Sequence, residues 1–297
     1  MDPQPGGEDS SEKYEGIPYR DLHIAVLKGV VQEKDEELLG SAFMGRWPED
    51  DTTFLFFSEQ SRTALGELLR RRPHLELMEE HRFSFEEWHG GRLEPTRVER
   101  FLITPAWEKP ITEEDTVSII MDPGVVFGTG LHPTTRDCLR ALLALWARSP
   151  FETVVDLGTG TGVLAVASAL LGAKRVLAVD LNPLCVKTAR RNVRLNHLED
   201  RVQVVEGAAE DWAGQKADCV IGNLHYEVLK GLVKGEFLRG TPWFIFSGLL
   251  RSQARLFKAH LQGLGLHLLS QWNHEDTWYT LMVQNMMPHT LPPSPGK

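Results

Sequence analysis

The sequence predicts an α/β protein in which a doubly wound, largely parallel sheet follows a smaller α+β domain. Strand-like apolar runs alternate with amphipathic helical runs through the second half of the chain, as expected of a parallel sheet with helices on both faces. One strand-to-helix junction, at 154–163, is rich in glycine, which is typical of a nucleoside-binding βαβ unit. A shorter series of strands and helices occupies residues 19–90, and 297 residues suffice for two domains.

The first domain is expected to span residues 19–90. Its predicted strands are 21–31, 52–57 and 75–85, and its predicted helices are 33–43 and 59–72. This β-α-β-α-β order predicts a small open sheet with its helices on one face, of ferredoxin-like type. We expect a disordered polar tail before it at 1–18, and after it, at 91–112, a linker that contains Pro95, Pro105 and Pro110.

The second domain is expected to span residues 113–287, followed by a disordered Pro-rich tail at 288–297. Its predicted strands are 117–121, 153–157, 175–180, 202–206, 218–223, 243–247, 266–271 and 277–283. Helical patterns separate most of these strands, which predicts parallel pairing through right-handed crossovers. No helix separates the last two, so we expect them to form an antiparallel hairpin at one edge.

The most informative stretch reads VVDLGTGTGV at 154–163, and VLAVD follows the next helix at 176–180. Gly158, Gly160 and Gly162 permit a tight strand-to-helix turn and let a ligand lie against the main chain. A dinucleotide-binding fingerprint needs a glycine at position 163, where this chain has Val163. A nicotinamide-dependent dehydrogenase is therefore disfavoured.

The spacing of these glycines, preceded by Asp156, resembles motif I of class I S-adenosylmethionine methyltransferases. The resemblance implies S-adenosylmethionine as the cofactor, held against Gly158 and Gly160. Asp156 is expected near the amino-acid end of the cofactor, where it orients the loop. Asp180, at the tip of the following strand, can accept hydrogen bonds from the ribose hydroxyls.

Two interpretations of the segment DPGVVFGTGLHPTT, at 122–135, stay open. It is either a Gly/Pro loop whose threonines cap the next helix, or a cover over the cofactor. In the second case Phe127, Gly128 and Thr135 belong to the cofactor site, and His132 belongs to the substrate pocket.

Asn223 ends a predicted strand at the carboxyl edge of the sheet, where open α/β sheets bind ligands. Its amide oxygen can accept a hydrogen bond from a substrate amine and so orient the nitrogen lone pair for methyl transfer. We therefore predict Asn223 as the catalytic residue, although it can also cap the next helix. Leu224 and Tyr226 are expected to line the substrate pocket.

Composition and charge exclude several classes of protein. The apolar runs are too short to cross a membrane and the first residues lack a hydrophobic signal core, so a cytoplasmic protein is expected. The histidines show no metal-ligand spacing, and the three cysteines are expected to be buried thiols rather than a metal site. Residues 1–115 carry a net charge of −12 and the remainder +3, which together give −9. The acidic half favours a basic partner over nucleic acid.

The same segments identify a family. The loop DPGVVFGTGLHPTT, the motif VVDLGTGTGVLAVASALLGA and the stretches VLAVDLNPLCVKTARRNVRLN, DCVIGNL and FSGLLRSQA are similar to the bacterial ribosomal protein L11 methyltransferase family, of PrmA type. The resemblance implies a seven-stranded Rossmann-like methyltransferase domain and a ferredoxin-like N-terminal domain that recognises the ribosomal protein. By position it implies that Thr135, Gly158, Asp180 and Asn223 contact the cofactor.

The function expected from the sequence is S-adenosylmethionine-dependent N-methylation of lysine or other amino groups of a protein. The expected substrate is a basic ribosomal protein, and the enzyme is expected to be a monomer. Two alternatives stay open: the same chemistry on a non-ribosomal protein or a small molecule, and a cofactor-binding module without catalysis.

Overall fold

The structure is a computed structural model that describes residues 16–111, 113–212, 214–234 and 237–286. The tail predicted at 288–297 lies outside the described residues, as does most of the tail predicted at 1–18. By its internal contacts the chain forms two compact units. One extends to Arg92 and includes Trp107–Lys109, and the other consists of Leu93–Ala106 and the chain from Pro110 onward. No helix among the described residues has the length and apolar character needed to cross a membrane.

The first unit contains a four-stranded antiparallel sheet in the order β2-β3-β1-β4. The strands are β1 (Asp21–Lys28), β2 (Phe43–Glu49), β3 (Thr52–Phe57) and β4 (Glu76–Ser84), and the helices are a 3-10 helix (Glu33–Leu38), α1 (Arg62–Arg71) and α2 (Phe85–His89). This is the β-α-β-β-α-β succession of a ferredoxin-like domain. The predicted fold type is confirmed, but one of its strands was missed.

The missed strand is β2. The sequence predicted a helix over 33–43, whereas the 3-10 helix ends at Leu38 and the chain turns into a strand at Phe43. Gly45 and Pro48 interrupt the alternation that marks a strand, and both are tolerated because β2 is an edge strand. The unit's core forms where α1 and the 3-10 helix pack on the sheet, with Leu27, Leu55 and Leu68 fully buried.

A three-stranded sheet occupies most of the segment predicted as a linker. It consists of β5 (Thr96–Val98), β6 (Phe101–Pro105) and β7 (Val117–Met121). The prediction was wrong because Pro105 ends a strand rather than marking irregular chain, and because the apolar residues between the prolines are buried in the core of the second unit. The prediction that 117–121 joins the large sheet is also wrong, since β7 pairs with β6 and with no other strand of the described chain.

The second unit is built on a seven-stranded sheet in the order β10-β9-β8-β11-β12-β14-β13. Its strands are β8 (Thr153–Leu157), β9 (Arg175–Asp180), β10 (Val202–Glu206), β11 (Cys219–Asn223), β12 (Trp243–Leu250), β13 (Leu266–His274) and β14 (Trp278–Asn285). Five strands run parallel, and β14 is antiparallel to both β12 and β13. The predicted edge hairpin is therefore confirmed. The strand order reverses beside β8, where such sheets bind ligands at the carboxyl edge.

Helices cover both faces of this sheet. They are α3 (Pro133–Arg148), α4 (Val163–Leu171), α5 (Pro183–Leu195), α6 (Tyr226–Leu232) and α7 (Arg251–Gly263). Buried residues of α3, α4 and α5 belong to one apolar cluster, and those of α6 and α7 belong to a second. This arrangement confirms the predicted doubly wound sheet, and it brings the chain segments after β8, β9 and β11 to the same edge.

A buried amide joins one of these segments to the chain that follows β7. Asn192, on α5, is fully buried. Its Oδ1 accepts a hydrogen bond from the Asp122 amide at 2.8 Å, and its Nδ2 donates to the carbonyl oxygens of Asp122 at 2.9 Å and Thr161 at 2.8 Å. Asn192 thereby fixes the segment that follows β7 to the glycine-rich loop that follows β8.

Candidate active site

The glycine-rich loop connects β8 to α4. Gly158, Gly160 and Gly162 have φ values of +69°, +56° and +84°, a region that residues with a side chain rarely adopt. A Cβ at Gly160 would lie 2.6 Å from the carbonyl oxygen of Phe127, and one at Gly158 would overlap the side chain of Leu224. Both the backbone conformation and the close neighbours therefore require glycine in this loop.

Asp180 lies at the end of β9, directly beside the loop. Its Oδ2 accepts a hydrogen bond from the Gly160 amide and its Oδ1 one from the Asn182 amide, both at 2.9 Å. Burial raises the pKa of this half-buried carboxyl group. The next side chain, Leu181, is 70% exposed and places apolar surface beside the carboxylate. Asp180 thus lies at the tip of its strand beside the glycine-rich loop, as predicted, and its binding of a ribose stays a prediction.

Asp156 lies under the loop rather than at its surface. Its side chain is buried, and its Oδ2 accepts a hydrogen bond from the Thr159 hydroxyl at 2.6 Å. Burial raises the pKa of Asp156 to about 7, and the negative charge of Asp180 acts in the same direction. This position suits the predicted role of orienting the loop. The carboxylate has almost no surface left for direct contact with a cofactor.

The segment at 122–135 packs against the glycine-rich loop. The carbonyl oxygen of Phe127 accepts a hydrogen bond from the Thr161 amide at 3.1 Å, and that of Gly128 accepts one from the Thr161 hydroxyl at 2.7 Å. A Cβ at Gly128, whose φ is +111°, would lie 2.7 Å from the same hydroxyl oxygen. The Phe127 side chain is 55% exposed. Both residues therefore lie where the sequence places the cofactor site.

The end of this segment caps α3. His132 is the N-cap residue, with its Nδ1 accepting a hydrogen bond from the Thr134 amide at 3.3 Å, and proline follows at the first helical position. The segment does cap the next helix, but the cap is His132, so the prediction of a threonine cap is wrong, and the role of the segment as a cover over the cofactor stays a prediction. Thr135, a predicted cofactor contact, is buried, and its hydroxyl has no hydrogen-bond partner among the described residues. An unpaired buried hydroxyl is costly and is commonly completed by a ligand or water.

Asn223 ends β11, as predicted, and is half-buried. Its Nδ2 donates a hydrogen bond to the Thr134 hydroxyl at 3.2 Å. The helix that follows is capped by His225, so the alternative role of Asn223 as a helix cap is wrong. Leu224 lies against Gly158, beside the glycine-rich loop.

Tyr226, a predicted residue of the substrate pocket, packs between helices on one side of its ring, and its contact with a substrate stays a prediction. Its ring packs edge-on against the buried Phe257 with 6.3 Å between centroids, and the Lys230 ammonium lies 5.7 Å from its centroid. Tyr226 is thus part of the packing between α6 and α7. The sequence could not distinguish these two roles, because both place an aromatic residue at the start of a helix.

Two residues of the site were not predicted. Thr134 lies between Asn223 and His132, and Trp278 packs edge-on against His132 with 5.1 Å between ring centroids. The predicted hairpin carried the signal for Trp278. Because β14 runs antiparallel to β12 and pairs Trp278 with Leu250, the first residue of β14 lies at the carboxyl edge of the sheet.

A separate cavity of about 690 Å³ lies at the start of α7 and contains none of the predicted site residues. It is lined by Arg251, Arg255, Lys258, Asp276 and Tyr279, among others. Within the described ranges no group of three or more His, Cys, Asp or Glu side chains is placed to hold a metal ion.

Comparison with known proteins places these features in a family. The sequence profile of ribosomal protein L11 methyltransferase (PrmA) matches residues 28–286. The ribosomal protein L11 methyltransferase of Anoxybacillus flavithermus is 38% identical over 207 residues, which are 67% of this chain and 65% of that protein. That of Carboxydothermus hydrogenoformans is 40% identical over 182 residues, which are 60% of this chain and 59% of that protein. The chain thus spans less than two thirds of the length of these two relatives.

A solved structure agrees with this result. The crystal structure of the ribosomal protein L11 methylase from Lactobacillus delbrueckii subsp. bulgaricus is similar with a TM-score of 0.57 and 27% sequence identity. The superposition covers 65% of this chain and 98% of that one.

Proposed function

The chain belongs to the ribosomal protein L11 methyltransferase family, and on this premise we propose that it transfers methyl groups from S-adenosylmethionine to amino groups of a basic ribosomal protein. The single observation that carries the proposal beyond family membership is the meeting of three elements at one sheet edge. These are the glycine-rich loop, the carboxylate of Asp180 and the amide of Asn223. Such a protein works in the cytoplasm, where ribosomal proteins are made.

The residues present suit this cofactor. Three of the five residues at 158–162 are glycines and the side chains of the other two are buried, so the backbone of this loop can lie close to a ligand, and Asp180 would hold the ribose hydroxyls. Leu181 offers exposed apolar surface for the base, and the unpaired hydroxyl of Thr135 offers a further polar contact. When bound, the cofactor supplies a methyl carbon activated by its sulfonium group.

The protein's contribution to transfer is the orientation of an amine. Because Nδ2 of Asn223 donates to Thr134, Oδ1 lies on the opposite branch of the amide and can accept a hydrogen bond from the substrate nitrogen. A lysine amine has a pKa near 10.4 in water, so it must lose a proton before its lone pair can attack. The ammonium releases its proton to solvent before it enters the cleft, where exclusion of water favours the neutral amine. Correct positioning of this kind is worth about hundredfold in rate or more.

The acidic first unit supports a basic protein as the substrate. Its edge strand β4 pairs only with β1 among the described residues, and positions 76–82 are exposed. Glu76, Glu79 and Glu80 make this edge acidic, while Leu77 and Met78 are 37% and 56% exposed. An unpaired edge can accept an extended segment of a partner through main-chain hydrogen bonds. The charges on this edge favour a segment rich in lysine.

Methyl transfer can be measured directly with purified protein, S-adenosylmethionine carrying a labelled methyl group, and a mixture of bacterial ribosomal proteins. We expect the label in ribosomal protein L11. Asn223→Ala should bind the cofactor but lower the turnover about hundredfold. His225→Ala is the matched control, because that neighbouring side chain is exposed and makes no capping hydrogen bond.

Three results would contradict the proposal. Label confined to another protein or to a small molecule would place the same chemistry on a different substrate. Cofactor binding without label in any component of a lysate would indicate a module without catalysis. Full turnover by Asn223→Ala would remove Asn223 from the mechanism.

A further inference from the structure

We propose that His132 is a positioning residue that fixes the amide orientation of Asn223 through the hydroxyl group of Thr134. The inference rests on the proposed function, because it assigns a task to Asn223 in methyl transfer. The three side chains are linked by two consecutive hydrogen bonds. The Thr134 hydroxyl oxygen lies 3.2 Å from Nδ2 of Asn223 and 2.8 Å from Nδ1 of His132.

The position of each hydrogen follows from the donors available. The amide nitrogen of Asn223 can only donate, so the Thr134 oxygen accepts from it and the single hydroxyl hydrogen points to Nδ1 of His132. The backbone amide of Thr134 donates to the same Nδ1. Nδ1 therefore carries no hydrogen, and the neutral imidazole carries its hydrogen on Nε2.

The opposite amide orientation does not fit these contacts. With Oδ1 of Asn223 turned toward Thr134, the one hydroxyl hydrogen would face two acceptors, Oδ1 and Nδ1. A hydrogen on Nδ1 would relieve that conflict, but it would then oppose the backbone amide of Thr134. The unprotonated Nδ1 thus selects the orientation that keeps Oδ1 away from Thr134. In that orientation Oδ1 has no hydrogen-bond partner in the part of the chain that the structure describes.

The surroundings hold the imidazole ring in place. Phe127 and Trp278 pack edge-on against it, with centroid distances of 5.0 Å and 5.1 Å. On the hairpin packed against the ring, the titratable group that faces His132 is His274, while Phe127 and Thr134 carry no charge. Burial, with a smaller contribution from His274, lowers the pKa of His132 and so favours the neutral form.

Loss of the Nδ1 acceptor should leave the Thr134 hydroxyl hydrogen and the Asn223 amide free to change orientation. The Thr134 hydroxyl could then donate to Oδ1 of Asn223, and the amide would present its NH₂ group to the substrate amine. Two donors would face each other, so turnover would fall while cofactor affinity stayed the same. Asparagine at position 132 keeps an acceptor oxygen at the N-cap but has no group that titrates in this pH range.

The test combines turnover, cofactor affinity and a tautomer measurement. We expect His132→Ala and Thr134→Val each to lower kcat at least about tenfold with cofactor affinity unchanged, and the double variant to be no worse than either, because both disrupt the same linked hydrogen bonds. His132→Asn should keep kcat within about threefold. The ratio of wild-type to His132→Asn turnover should fall as pH drops below the pKa of His132, which burial lowers.

Equal losses of kcat in His132→Ala and His132→Asn would overturn the proposal, as would strictly additive effects of His132→Ala and Thr134→Val. The ¹⁵N chemical shifts of His132 in the protein without ligands test it independently of activity. A hydrogen on Nε2 is expected, and a hydrogen on Nδ1 would refute the inference. A wild-type protein without transferase activity but with the Nε2 tautomer would count against the proposed function alone.

Discussion

Replacing Gly160 by alanine tests whether the close approach of the two loops holds the site together. The added Cβ would lie 2.6 Å from the Phe127 carbonyl oxygen, well inside normal contact distance. A residue with a side chain at φ +56° costs about 1–2 kcal/mol. Overpacking against a backbone atom that cannot rotate away adds about 1–2 kcal/mol. We therefore expect Gly160→Ala to lower the free energy of unfolding by about 2–4 kcal/mol.

The measurement is urea denaturation of the variant and of a matched control. Gly231→Ala is the control, because a Cβ at this position in α6 meets no atom within 4 Å. Alanine inside a helix is favoured over glycine by about 0.5–1 kcal/mol, so the control should be slightly stabilised. Calorimetry with S-adenosylmethionine should also show weaker binding by Gly160→Ala, because the Gly160 amide anchors Asp180. Unchanged stability and unchanged cofactor affinity would refute the described loop contact.

Three further predictions concern charged groups. Asp180→Asn should weaken cofactor binding roughly 10–100-fold in calorimetry, since hydrogen bonds to a charged acceptor contribute about 1.5–3 kcal/mol; unchanged affinity would exclude a ribose contact. Burial raises the pKa of Asp156 to about 7, whereas the same carboxyl group has a pKa of roughly 3.9 in the unfolded chain. Between these two pH values the folded state holds a proton that the unfolded state has lost, so the free energy of unfolding of the wild type falls as the pH rises. Asp156→Asn should therefore gain stability relative to wild type as the pH rises from about 4 to about 7 in urea titrations, and a constant difference would contradict this pKa. Glu80→Lys on β4 should raise KM for the protein substrate severalfold without changing cofactor affinity, because a lysine-rich segment would be repelled. The control is Glu59→Lys, since Glu59 is another exposed acidic residue of this unit. Equal effects of the two substitutions would mean that β4 is not the docking edge.

The large sheet was predictable because its strands are buried on both faces and therefore read as continuous apolar runs. The small strands were not. In β2, Gly45 and Pro48 break the alternation, and in β5 and β6 the neighbouring prolines suggested a linker. These strands are short or lie at an edge, so pairing with distant residues rather than local propensity decides their conformation.

The site residues likewise fall into those that could be predicted from the sequence and those that could not. Asp180 and the glycines could be placed from local sequence, because each follows directly from the end of a strand. The contact between Asn223 and Thr134 joins residues that are 89 positions apart, and no sequence pattern in either segment predicts it. For Tyr226 the sequence pattern does not indicate where the side chain points, since a residue at the start of a helix can face the core or the cleft.

The buried amide of Asn192 constrains how ligands enter and leave. It binds main-chain atoms of Thr161 in the glycine-rich loop and of Asp122, so these two stretches cannot separate without breaking either its one hydrogen bond to Thr161 or its two hydrogen bonds to Asp122. The carbonyl oxygens of Phe127 and Gly128 also bind Thr161, so widening of the entrance is expected beyond Gly128, at positions 129–131, where Gly130 has a positive φ. The rate of product escape should accordingly depend on the stiffness of that short stretch of chain.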